Sequence, residues 1–120
     1  MAKRTGPTST VTKKLIADLR SLSTKERVKI WSRLADDLSK STRSRRRVNI
    51  HRINKHIKET EIAVIPGKVL SEGNLNKKVT VAAFKFSDKA REKINKTGKA
   101  VSLIQLMKDN PKGKKVRIIG

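Results

Sequence analysis

The chain has 120 residues, of which 31 are Lys or Arg and 10 are Asp or Glu, for a formal net charge of +21. That length suits one domain with a modest core, and the absence of Cys excludes a disulfide framework, a thiolate nucleophile and a Cys-ligated zinc site. Like charges repel across a compact fold, so an excess this large points to a polyanionic partner. Nucleic acid comes first, because each basic group set on a phosphate releases condensed counterions.

No apolar run approaches the roughly 18 residues of a membrane span. The opening MAKRTGPTSTVTKK has no apolar stretch behind its charges, so no secretory signal is expected. Residues 1–9 are polar, basic and broken by Gly6-Pro7, which predicts a flexible basic arm carrying Lys3 and Arg4. Ser9 or Thr10 is placed to cap a first helix in which Val11, Leu15, Leu19 and Leu22 recur every three or four residues. Lys13, Lys14 and Arg20 fall off that stripe and face solvent or RNA. Ser23-Thr24-Lys25-Glu26 has the form of a capping box, which predicts a second helix from there to about Leu38. Its apolar face holds Val28, Trp31, Leu34, Ala35 and Leu38, with Trp31 as a core anchor. Residues 10–40 therefore read as a helical hairpin directed at a sheet.

From Lys40 to Lys58 the segment KSTRSRRRVNIHRINKHIK contains eight Lys or Arg residues and no acid. Arg43, Arg45, Arg46, Arg47 and Arg52 are arginines, whose guanidinium groups grip phosphate through two parallel hydrogen bonds, as a lysine ammonium cannot. Residues 41–47 are read as an Arg-rich linker and 48–120 as an α/β core. Val48, Ile50, Ile53 and Ile57 predict a short strand and a helical turn that re-enters the core. His51 and His56, five positions apart and without Cys or carboxylate at ligand spacing, are expected to be neutral surface residues.

The densest β-signal is Ile62 to Ser87. Ile62-Ala63-Val64-Ile65 is stopped by Pro66-Gly67, which reads as a type II turn, and Lys68-Val69-Leu70 resumes beyond it. After a polar loop around Gly73, Val79 to Phe86 reads as a strand with at least one buried face. Phe84 and Phe86, two apart, are expected on one face of it and in the core. Ser87 caps a helix ending at Gly98, and Ala100-Val101 is a very short strand. Ser102 to Gln105 repeats the capping box, opening a helix that stops at Asn110-Pro111. Lys112 to Lys115 is a basic turn and Val116 to Ile119 a closing strand. The alternation indicates a mixed α/β domain.

No catalytic constellation is visible. Gly67-Lys68 and Gly113-Lys114 are not followed by Ser or Thr, so neither is a phosphate-binding loop of the Walker type. Asp36-Asp37 is the only adjacent acidic pair, and neighbouring helix positions diverge. Tyr is absent and aromatics number three, so a base-stacking platform is not expected and recognition should run through phosphates, sugars and RNA shape.

Several co-linear blocks carry a resemblance. Val48-Asn49-Ile50, the run Pro66-Gly67-Lys68-Val69-Leu70, Lys77 to Phe84, Phe86-Ser87, Asn110-Pro111-Lys112-Gly113 and Val116 to Gly120 together resemble the eighteen-e protein of the archaeal and eukaryotic large ribosomal subunit, of the fifteen/eighteen-e superfamily. The resemblance covers nearly the whole chain, and the compact length is similar to the archaeal form. Thr97-Gly98 departs from the two glycines expected there, though Gly98 can still end the helix. The resemblance implies an irregular layered winding of strand-strand-helix units, preceded by a helical hairpin and a basic extension. It also implies a structural, non-catalytic constituent of the large subunit in the cytoplasm, present in single copy. Its partners would be large-subunit rRNA and neighbouring ribosomal proteins, with no cofactor, metal, small-molecule substrate or membrane. The alternative is a general DNA- or RNA-compacting basic protein. Candidate RNA contacts are Lys3, Arg4, Lys13, Lys14, Arg20, the four arginines Arg43, Arg45, Arg46 and Arg47, then Arg52 and Lys55, then Lys68, Lys77 and Lys78, and at the end Lys112, Lys114, Lys115 and Arg117.

Overall fold

Nine residues rich in Ile, Val, Leu and Ala, buried on both faces, make the central strand around which two helical layers gather. The computed structural model describes residues 10–39 and 46–119. The expected arm and all but the end of the Arg-rich linker lie outside them. In chain order the elements are α1 (Thr10–Glu26), α2 (Lys29–Ser39), β1 (Arg46–Asn49), α3 (Ile50–His56), β2 (Ile62–Leu70), β3 (Thr80–Phe86), α4 (Asp88–Thr97), β4 (Lys99–Ser102), α5 (Leu103–Asp109) and β5 (Val116–Ile118). Every strand pairing is parallel, in the order β1-β2-β3-β4, with β5 also on β2. Parallel sheets are covered on both faces, and this one is. Ile50, Ile53 and Ile57 of the α3 segment and Ala90 and Ile94 of α4 pack one side. Leu15, Ile16 and Leu19 of α1, Trp31, Leu34, Ala35 and Leu38 of α2, and Leu103 and Leu106 of α5 pack the other. The mixed α/β class is as expected, with the N-terminal hairpin forming much of one layer.

Two local readings are corrected. Ser23 to Glu26 does not open α2; it is the last turn of α1. Arg27 takes a left-handed φ of 58°, and the Val28 N–H donates to Ser23 O at 3.1 Å, a Schellman ending. The Ser23 hydroxyl donates to Val28 O at 2.7 Å and the Thr24 hydroxyl to Arg20 O at 3.2 Å, so neither caps an amide.

Pro66-Gly67 is not a turn but lies inside the continuous strand β2. Ile65 pairs with Ala83 and Lys68 with Lys85, so Pro66 and Gly67 together oppose Phe84 alone. That two-against-one count is a β-bulge. On the other edge β5 pairs β2 as far as Val64 and β1 begins at Gly67. Pro66 therefore sits where one edge partner has ended and the next has not begun, a position where its missing N–H breaks no ladder.

The bulge also corrects the faces of β3. Residues before it alternate regularly, with Val81 and Ala83 in the α3–α4 layer and Ala82 in the hairpin layer. Phe84 continues that alternation against the hairpin layer, and the reset comes after it, with Phe86 against the α3–α4 layer. The two rings are half-buried on opposite sides of the sheet.

The β2–β3 connection is short for a parallel pair. Residues 71–79 must return about 20 Å along the strands with a reach of about 30 Å, whereas nine residues of helix would span only about 14 Å. The segment runs as a strap along α3. Asn49 Oδ1 accepts from the Glu72 N–H at 3.2 Å, the His51 N–H donates to Glu72 O at 3.1 Å, and Asn54 Oδ1 accepts from the Asn76 N–H at 2.8 Å. Gly73 has φ +98°, and a Cβ there would lie 2.5 Å from the His51 Cβ, so only glycine fits.

The predicted caps at Ser87 and Ser102 are present: their hydroxyls accept from the Ala90 and Gln105 amides at 3.2 and 3.1 Å. Gln105 does not complete a capping box, since its side-chain Nε2 donates to Asp109 Oδ1 at 2.9 Å. Trp31 is fully buried, and its indole N–H donates to Pro111 O at 2.7 Å, tying α2 to the loop before β5. Trp31→Ala should cost about 3–5 kcal/mol, and Trp31→Phe, which leaves the Pro111 carbonyl without its donor, about 1–3 kcal/mol. Urea unfolding measures both, and a Phe variant as stable as wild type would show that the indole bond contributes nothing net.

Candidate nucleic-acid interface

The cations fall into two physical groups, those bonded into the fold and those left to solvent. Lys77 belongs to the first. Its ammonium donates to Asn54 O at 2.8 Å and Ile57 O at 2.6 Å, at the end of α3, where carbonyls lack helical partners and a positive charge is favoured. Lys93, which the sequence did not single out, does the same for the strap, donating to Ser71 O at 2.8 Å and Gly73 O at 3.1 Å. Arg117 Nε lies 2.8 and 2.9 Å from the two Glu61 oxygens and holds β5 to the residue before β2. The Arg117 hydrogen bond holds the Glu61 carboxyl below its ordinary pKa against the opposing effect of burial, helped by the Lys58 amide. The same contact raises Arg117.

Intermediate cases pair at the surface. Lys14 meets Asp18 at 3.7 Å, Lys112 meets Glu26 at 3.7 Å, and Arg20 Nη2 reaches Asp36 Oδ1 and Ser39 Oγ at 3.3 Å each. Exposed pairs of this kind contribute under about 1 kcal/mol and exchange readily with a competing anion.

The remainder point to water. Lys13 on α1, Arg47 on β1, Arg52 and Lys55 on α3, Lys68 on β2, Lys78 in the strap, and Lys114 and Lys115 in the closing loop are all exposed. That loop is braced from its root, because the Asn110 side chain bonds both the Lys114 carbonyl at 2.8 Å and its amide at 3.2 Å. Gly113, with φ +63°, packs where a Cβ would lie 3.0 Å from Ile30 and 3.2 Å from Val28. The expected contacts Lys3, Arg4, Arg43 and Arg45 lie outside the described residues, and Arg46 opens β1, its backbone paired with Gly67.

Strand register brings together residues that the sequence scatters. Arg47 pairs with Lys68, and Lys68 with Lys85, so three exposed cations lie in one row across β1, β2 and β3. Their neighbours Val48, Val69 and Phe86 face the α3–α4 layer, so the row lies on the hairpin side near the carboxyl ends of the strands. The Lys85 ammonium stands 5.6 Å from the centre of the Phe84 ring. Sequence reasoning missed Lys85, because a Lys between two Phe looks like the wet face of any strand. Only the register reveals its neighbours.

His51 and His56 are exposed. Among the described residues no cluster of His, Asp and Glu could hold a metal ion, and no helix is long and apolar enough to cross a membrane.

Fold and charge thus define a strongly basic α/β domain that presents many of its cations to solvent. The sequence model of the family described as ribosomal protein 60S L18 and 50S L18e matches residues 2–120, and the chain belongs to that family. It is 42% identical over 120 residues to the large ribosomal subunit protein eL18 of Sulfurisphaera tokodaii, covering 99% of this chain and 98% of that protein. It is 46% identical over 105 residues to eL18 of Haloarcula marismortui, covering 88% and 90%. To eL18 of Methanothermobacter thermautotrophicus it is 43% identical over 107 residues, covering 88% of each.

Two expectations separate the groups of cations. Lys77→Met, which leaves two carbonyls without their donor, should cost about 1–3 kcal/mol, whereas Lys78→Gln at the exposed neighbour should change stability by less than about 0.5 kcal/mol. Equal melting temperatures for the two variants would remove the structural role given to Lys77. The Glu61 shift sets a pH dependence. A carboxyl whose folded pKa lies below its unfolded value stabilises above the ordinary carboxylate range, and that contribution is lost as falling pH protonates it. The melting-temperature gap between wild type and Arg117→Gln should therefore be largest near neutrality and shrink below about pH 4. A gap that is constant down to pH 3 would mean that the pair does not act through Glu61 ionisation.

Proposed function

We propose that this protein is a structural constituent of the large ribosomal subunit, in the cytoplasm, that binds and stabilises folded rRNA through phosphate contacts. The observation that carries the reading is a net charge of +21, with many of the cations among the described residues exposed on both layers. Family membership points to the same assembly. Phosphates would replace the weak surface partners of Lys14, Arg20 and Lys112 and neutralise the repulsion among the rest. Single copies would sit among packed rRNA helices and neighbouring ribosomal proteins, with residues 1–9 and 41–47 as basic extensions of one working domain. No reaction is assigned to it.

The protein should co-sediment with large ribosomal subunits and be released by high salt. Binding to deproteinised large-subunit rRNA should weaken steeply with salt, each phosphate contact adding nearly one unit to the slope of log affinity against log salt. Binding that barely responds to salt, or equal affinity for random double-stranded DNA, would overturn the reading, the second outcome favouring a general compacting protein.

A further inference from the structure

Unlike Lys77 and Lys93, the side chains of Arg47, Lys68 and Lys85 make no hydrogen bond within the fold among the described residues. Among the described residues no carboxylate pairs with any of the three. Like charges directly opposite one another on neighbouring strands destabilise a sheet, and here the arrangement occurs twice in succession. The backbones are only about 5 Å apart, so the three charged tips fan over a short arc. On the row's own side Asp36 of α2 is engaged by Arg20, while two further acids, Glu72 and Asp88, belong to segments tied to the opposite layer. Glu72 is held through its backbone by Asn49 and His51, and Asp88 opens α4.

The row is also rigid at its base. β2 is paired along both edges there, with β1 on one side and β3 on the other. Lys85 is further oriented by the Phe84 ring below it. A fixed line of uncompensated cations across the strands is complementary to a line of phosphates. A membrane surface would require apolar anchors beside the charges. Phe84, the aromatic residue seen here, is half-buried against the hairpin layer.

Resting on the ribosomal reading above, we propose that Arg47, Lys68 and Lys85 form one phosphate-binding track, which seats the sugar-phosphate backbone of a single rRNA strand running across β1, β2 and β3. The bulge at Pro66-Gly67 creates the track, because it puts Lys68 opposite Lys85 where an unbroken ladder from Ile65↔Ala83 would pair Lys68 with Phe86. The track reads backbone position and not base identity, as phosphate contacts do.

The test compares two full-length triple variants of equal charge. One replaces the row (R47Q, K68Q, K85Q), and the other replaces three exposed lysines on α4 and α5 (K89Q, K96Q, K108Q). Binding to deproteinised large-subunit rRNA is measured over a range of KCl concentrations. The row variant should lose about two to three units of salt slope and at least about 10-fold in affinity at physiological salt, while the control loses less than one unit. Its melting temperature should be unchanged or higher, because a repulsion has been removed. Equal losses in the two variants would overturn the track in favour of diffuse charge while leaving the rRNA reading standing. Failure of wild type itself to bind in a salt-dependent way would sink the functional reading and the track with it. A photo-crosslinking residue at position 68, in reconstituted subunits, supplies an independent readout. Crosslinks to one stretch of rRNA support the track, and crosslinks to an acidic protein segment overturn it.

Discussion

Strand β2 is the constraint on which the rest of the structure depends. Among the described residues it is the one strand with three partners, β3 along one edge and β5 followed by β1 along the other. From Ala63 to Gly67 it is buried on both faces. All its polar backbone groups must be met by neighbours in this setting, since buried amides and carbonyls without partners cost free energy. A proline at the centre of such a strand looks like an error. It is tolerated because the edge partners change over beside it and the β3 ladder skips it, so the residue without an N–H lies where three pairings are interrupted together.

The same interruption shapes the surface. By placing two residues opposite Phe84, it leaves Phe84 on the hairpin layer and shifts Phe86 to the other. It also brings the side chains of Lys68 and Lys85 level. A local backbone irregularity thereby becomes a surface charge pattern. Bulges commonly re-aim side chains in this way at functional positions.

Much of the element order was legible from the chain: the hairpin, the two strands either side of Gly73, the serine caps at Ser87 and Ser102, and the stop at Asn110-Pro111. Each rests on local chemistry, apolar period or cap geometry, which a sequence displays directly. The failures share a cause. Ser23 to Glu26 fits a helix start and a helix end equally well, and what decides is the left-handed Arg27 just beyond, a conformation that Arg does not advertise. Pro66-Gly67 fits a turn unless one knows that the edge partners change there, which is tertiary information. Lys77 and Lys85 are alike in composition and opposite in role. One places its ammonium on the end of α3 and the other faces solvent, and only the path of the strap and the register of β3 tell them apart.

Presentation from a fixed frame decides what kind of partner suits these cations. Indole, glycine and asparagine contacts hold the closing loop against α2 and itself, so Lys114 and Lys115 project from a braced base. The track on β1–β3 stands on strands paired to both sides, and Arg52 and Lys55 on a helix packed into the core. Groups positioned before binding lose less conformational freedom when they bind. They also demand that the partner's charges be fixed at matching places. A flexible single strand would conform to almost any spacing and would prefer aromatic faces on which to stack, which this chain scarcely offers. A folded polyanion, with phosphates already held in position by its own tertiary structure, gains from the match. The frame thus favours shape and spacing over sequence as the property that is recognised.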